Sequence, residues 1–148
     1  MKRTIRQLVA YYKNKFKTSD PFELADLLNI EVQIGDLGLR AGCYMYLKRH
    51  KCVFLNEHLD RHEMKLVMAH ELGHAVLHPK ENCYFIRNKT LLLNSRTEIE
   101  ANKFAMELLI PDDIMEENKT FTTEQLSRLL GYEQGLIDLR IKSYYDLS

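Results

Sequence analysis

Net charge is the first thing this sequence lacks: 21 Lys and Arg balance 21 Asp and Glu over 148 residues. Bulk electrostatics therefore draws the chain neither to nucleic acid nor to a membrane surface. Paired cysteines are missing too. Cys43, Cys52 and Cys83 are an odd number in no metal-ligand spacing, which argues against a disulfide framework and for a reducing setting. No apolar run is long enough to span a bilayer, and the apolar part of "MKRTIRQLVAYYKNK" is about five residues, too short for a signal peptide. The expectation is a cytoplasmic protein with no membrane segment and no direct nucleic-acid role. Internal repeats, low-complexity tracts and Pro/Gly/Ser linkers are also absent. One domain over residues 1–148 is expected, with a core from about 20 to 111, a C-terminal helical tail from about 112 to 148 and a monomer as the default. A chain of this size buries roughly 70% of its unfolded surface.

What is present reads as helices and hairpins. Residues 4–17 form a first helix whose Lys2, Arg3, Arg6, Lys13, Lys15 and Lys17 meet no acid in the first seventeen residues. That pattern reads as a solvated helix face, with a docking surface for an acidic partner as the alternative. "TSDPFELADLLNI" offers Ser19 or Asp20 as N-cap, Pro21 at the first helical position, and Phe22, Leu24, Leu27 and Leu28 for the core. "EVQI" is a short strand, and "GCYMYL-KRHK-CVFLN" is a β-hairpin around a charged turn. A long helix follows from about Asp60 to His78, then a second hairpin in "CYFIRNKTLLL" and a helix in "SRTEIEANKFAMELLIP" stopped by Pro111. The tail reads as two short helices, the first capped by Thr122 or Thr123. The class is α+β: a central long helix, a short antiparallel sheet and additional helices.

The long helix contains "VMAHELGHAVLHPK". His70 and His74 are four apart, so both rings leave one face of a helix about one turn apart. Two imidazoles so placed can bind one tetrahedral ion, and Glu71 can reach a water on that ion without ligating it. This is the H-E-x-x-H arrangement of zinc hydrolases, in which the metal acidifies the water and the glutamate takes its proton. Five residues alone carry little, since this composition yields the motif by chance in roughly one sequence in fifty. The context carries more. Leu66, Val67, Met68, Ala69, Leu72, Ala75, Val76 and Leu77 make the helix apolar nearly all round, the mark of a buried central helix. Two histidines and a glutamate there stand desolvated unless something satisfies them, and a metal does so. Gly73 costs such a helix about 1 kcal/mol and implies a packing or access reason.

A third ligand must come from elsewhere. His78 lies about 12 Å along the helix from His70 and roughly 80° round it, so it reads as a wall or capping residue. The longer H-E-x-x-H-x-x-G-x-x-H pattern fails at Leu77 and Lys80, and no histidine follows His78. The helix beginning near Ser95 offers Glu98 and Glu100, which point about 200° apart. Arg96, Glu100, Lys103 and Glu107 form a polar stripe read as solvated, whereas Glu98 shares its side with Ala101, Asn102, Ala105 and Leu108. Ser95 with Glu98, or Thr97 with Glu100, fits a capping box. Glu98 is therefore the preferred ligand, with Glu100 serving the cap. Asn102, one turn on, is placed to hydrogen-bond a ligand histidine and fix its tautomer. Two histidines and one glutamate leave a position for water, which makes the site an open, catalytic one.

These residues resemble the ImmA/IrrE metallo-endopeptidases. The resemblance rests on "DPFELADLLNIEV", "FLNEHLDRHEMKLVMAHELGHAVLH" and "EIEANKFAMELLIP", which cover most of residues 20–111 in the family's order. It implies a compact zincin-like fold of the gluzincin type, with His70, His74 and Glu98 on zinc and Glu71 as base. It also implies a role in bacteria, in prophages, mobile elements or stress loci: cutting a helix-turn-helix repressor and so relieving repression. The expected reaction is peptide hydrolysis, with "CVFLN" offering an edge for an extended substrate and Tyr46 or Tyr84 as candidate oxyanion donors. The rival from another class is a zinc-stabilised module that displaces a repressor without cutting it. A zinc hydrolase acting on a small molecule is a third candidate.

Overall fold

A computed structural model describes residues 2–86 and 95–145, with the side chains of residues 83–86 excepted. Its elements, in chain order, are α1 (Ile5–Phe16), α2 (Pro21–Leu27), β1 (Ile30–Gly35), β2 (Arg40–Leu47), β3 (His50–Asn56), α3 (Arg61–Leu77), β4 (Cys83–Ile86), α4 (Arg96–Leu109), α5 (Asp112–Glu117), α6 (Thr123–Leu130) and α7 (Gln134–Tyr144). Short polar side chains start most of the helices. Thr4, Asp60 and Thr122 make full capping boxes with Gln7, Glu63 and Gln125, and Asp20 caps α2 ahead of Pro21. Each such cap is worth about 1 kcal/mol.

The α+β class holds, and the sheet differs in two ways from the reading above. Its strand order is β1-β3-β2-β4. β2 runs antiparallel to β3 and β4, but β1 runs parallel to β3, so the sheet is mixed. The parallel pair exists because α2 and the hairpin return the chain to the same side. As a result "CVFLN", in β3, is paired on both flanks and offers no free edge to a substrate. The edges are β1 and β4. The β2–β3 turn is only Lys48 and Arg49, both at positive φ of 50° and 66°. That is the two-residue geometry usually given to Asn-Gly. The second expected hairpin is not formed within the described residues: β4 pairs with β2, and residues 87–94 lie outside them.

The long helix α3 lies against the inner face of the sheet. Gly42 makes this closeness possible, since a Cβ there would sit 2.8 Å from Val67 Cγ1 and 2.9 Å from the Phe54 carbonyl. Tyr44 is fully buried, and its hydroxyl donates to the Pro79 carbonyl just past the end of α3. Leu24 joins the core with Val53, Leu55, Met68, Leu72 and Phe104. Leu27, expected there, is 50% exposed, because α2 ends at that residue and turns it outward. α5 was not foreseen at all. Pro111 ends α4 as expected, but also serves as N-cap of this short helix.

The tail is tied to α4 by buried charge. Arg140 of α7 is 1% exposed and bonds the Ile110 carbonyl at 2.8 Å, Asp112 at 2.6 Å and Glu107 at 3.4 Å. Glu107 is only 5% exposed, so it does not belong to the solvated stripe assigned to it. Arg6 reaches Asp112 at 2.7 Å and Lys13 the Glu107 carbonyl at 3.3 Å, so part of the basic first helix also turns inward. Removing one member of such a network strands the others in low dielectric. Arg140→Ala is expected to destabilise the fold by about 3 kcal/mol, the lower end for a broken buried pair because Arg6 stays near Glu107. Urea denaturation of the variant against the parent chain measures this.

Candidate metal centre

The site is built where α3 crosses α4. On α3, His70, Glu71 and His74 are all buried, set among the apolar residues that hold the helix between the sheet and α4. Gly73 lets α4 come close. A Cβ at this position would lie 3.0 Å from both Cα and O of Ala101 and 3.2 Å from Phe104 Cβ, so the glycine anticipated as a packing device is one. Across this contact α4 presents Glu98 from its first turn and Asn102 one turn on.

Three donor atoms converge. His70 Nε2 and His74 Nε2 are 3.2 Å apart, and Glu98 Oε2 is 2.9 Å from the first and 3.0 Å from the second. Asn102 Oδ1 lies 2.7 Å from His70 Nδ1. An amide oxygen only accepts, so Nδ1 carries the proton and Nε2 is left with its lone pair toward the other two donors. Three electron-rich atoms at such distances repel unless protons or a cation stand among them. A tetrahedral ion with bonds of about 2.0–2.1 Å holds its ligands about 3.3 Å apart. The observed triangle is slightly tighter than that, and the donor set of two imidazoles and one carboxylate suits zinc. Burial acts to raise the pKa of Glu98, but hydrogen bonds and charge from His70 and His74 outweigh it and bring the value down to about 2. The carboxylate is thus held in its ligating, ionised form.

Glu71 stands beside this triangle, its Oε1 3.9 Å from His70 Nε2 and its side chain fully buried. Together with His70 and His74 it forms a cluster whose donor atoms lie within 4.8 Å of one another. The structure therefore brings together His70, Glu71, His74, Glu98 and Asn102. Ser95 is the N-cap of α4 and accepts the Glu98 N–H at 3.3 Å, while the Glu98 side chain turns to the histidines. The Thr97–Glu100 box does not form, because α4 begins at Arg96 and Thr97 falls within its first turn. Glu100 instead lies 3.3 Å from His78 Nε2, a pairing the sequence reading missed. Its only signal was the continued four-residue spacing from His70 through His74 to His78. Tyr46 packs on the apolar core, and the side chain of Tyr84 lies outside the described residues. Cys43 is no rival donor: burial, with the charge of Glu71, pushes its thiol pKa up and keeps it protonated.

Buried histidines one turn apart, a glutamate beside the first and a carboxylate from a second helix define the class of H-E-x-x-H metallohydrolases. The chain belongs to the family of the IrrE N-terminal-like domain, a peptidase family, whose profile matches residues 25–147. It is 38% identical over 143 residues to uncharacterized immunity region protein 2 of Bacillus phage phi105, covering 95% of this chain and 88% of that protein. It is also 29% identical over 132 residues to metallopeptidase ImmA of Bacillus subtilis (strain 168), covering 88% of this chain and 70% of that one. Among the described residues, no helix is long and apolar enough to cross a membrane.

Gly73→Ala tests the crossing. The same change in an exposed helix stabilises by about 1 kcal/mol. Here the added methyl meets backbone, and a loss of about 1–3 kcal/mol is expected. Chemical denaturation of the metal-free protein reads the sign directly.

Proposed function

We propose that the chain is a zinc-dependent endopeptidase, that His70, His74 and Glu98 hold the metal, and that Glu71 is its general base. Its substrate in this reading is a helix-turn-helix repressor of the same phage, mobile-element or stress locus, cut to relieve repression in the cytoplasm. The observation that carries the chemistry is the triangle of lone-pair donors with Glu71 beside it. The printed roles of the two relatives, one from a phage immunity region and one a metallopeptidase, support the setting.

Zinc bound at this site supplies Lewis acidity, which polarises a scissile carbonyl and acidifies water. The residues do the rest. Glu71 takes a proton from the attacking water as its oxygen adds to the carbonyl carbon, and returns that proton to the leaving amine as the C–N bond breaks. Asn102 keeps the proton of His70 on Nδ1, so Nε2 stays a donor to metal. The apolar residues around α3 keep bulk water from the glutamate, which suits a base that must act on one water only.

The test is a cleavage assay against the helix-turn-helix regulator encoded beside this gene. Glu71→Gln should retain zinc and its unfolding midpoint and lose about 10²- to 10⁴-fold in turnover, the usual worth of a positioned base. Cleavage by the chelated protein, or undiminished cleavage by Glu71→Gln, contradicts the mechanism. Equal regulator binding by both forms with no cut fragment would instead favour displacement without cutting.

A further inference from the structure

One contact near the site has no part in the chemistry above. His78 is the C-cap of α3, and its backbone N–H bonds the His74 carbonyl at 2.8 Å. Its ring lies 6.4 Å from that of His74, and its Nε2 is 3.3 Å from Glu100 Oε1 on α4. Both side chains are largely sheltered, at 20% and 27% exposure, so the pairing is less screened by water than a surface ion pair. We propose that His78 and Glu100 are positioning residues, a latch that fixes the rotation of α4 so that Glu98 stays on the metal. The proposal rests on the reading of His70, His74 and Glu98 as ligands.

The need for a latch follows from where Glu98 sits. It is the third residue of α4, inside the turn whose N–H groups lack backbone partners and which frays most readily. Its cap bond from Ser95 is 3.3 Å long, beyond the usual 2.9–3.0 Å. The Gly73–Ala101 contact sets how near α4 comes, but two small residues touching do not resist a roll of one helix over the other. Glu98 and Glu100 project about 200° apart on α4. With Glu98 held by His70 and His74 and Glu100 held by His78, a roll in either direction strains one of the two anchors. Arg96, 3.7 Å from Glu100 but 90% exposed, is a solvated neighbour and adds little. Because His78 is bonded to the His74 carbonyl, the same latch fixes the end of α3 that carries the second ligand.

The test is zinc affinity by chelator competition, on the full chain and on His78→Leu, Glu100→Ala and the double variant. Leucine fills the space of the imidazole but offers no donor. Each single variant should bind zinc about tenfold more weakly or worse, the scale of an outer contact that orients ligands. The double variant should be no worse than the weaker single, because both changes remove one interaction. His78→Gln, which restores an N–H donor at similar reach, should return to within about threefold of the parent. The visible absorption of the cobalt-substituted protein should shift in His78→Leu and return in His78→Gln; a role confined to folding would move the unfolding midpoint and leave that spectrum alone. Parent-like affinity in His78→Leu, or losses that multiply in the double variant, would overturn the latch. Zinc binding that fails already in the parent, or survives Glu98→Gln undiminished, would instead overturn the ligand assignment beneath it.

Discussion

The site depends on how closely α3 and α4 can approach. Gly73 meets the backbone of Ala101 where any side chain would collide, and that approach lets Glu98 span the gap to two histidines. Gly42 serves α3 in the same way on its other flank, letting the sheet press against Val67. A helix squeezed from both sides has no room for water around its polar residues. His70, Glu71 and His74 are therefore dry by construction, and their arrangement has to be satisfied from within.

That dryness gives the donor triangle its meaning. In water, two imidazoles and a carboxylate are each solvated and their mutual arrangement matters little. In a low-dielectric interior the same groups interact strongly and tolerate little mismatch. Asn102 takes the proton of His70 to one side and leaves the opposite nitrogen facing Glu98. The histidines in turn hold Glu98 ionised well below the ordinary carboxylate range. A cation of zinc's size relieves the repulsion that remains, which is why the metal reading is preferred to that of core histidines satisfied by one another. Glu71 shares the same dry interior without belonging to the triangle, the arrangement a base needs if it is to act on a water and not on the metal.

Much of this was legible in the sequence, and the rest shares a physical cause. The four-residue spacing of His70 and His74, the apolar surround of their helix and the inward side of Glu98 and Asn102 are local periodicities, which a chain states in its own order. So are the caps at Thr4, Asp20, Ser95 and Thr122. The sheet order, the parallel β1–β3 pair and the inner place of β3 depend on which distant strands meet, and no local pattern encodes that. Glu107 looked solvated because it repeats with Arg96, Glu100 and Lys103; only Arg140, 33 positions on, makes its burial tolerable. Glu100 was given to a cap one residue out of phase, since Ser95 and Thr97 both fit the box and only the observed start of α4 decides between them.

The central claim is that α3 and α4 together form one metal centre, and titrating zinc into the metal-free chain by calorimetry tests it most directly. The account predicts one equivalent bound, with binding greatly weakened by Glu98→Ala even though both histidines remain. Absence of binding, or a titration that Glu98→Ala leaves unchanged, would contradict it.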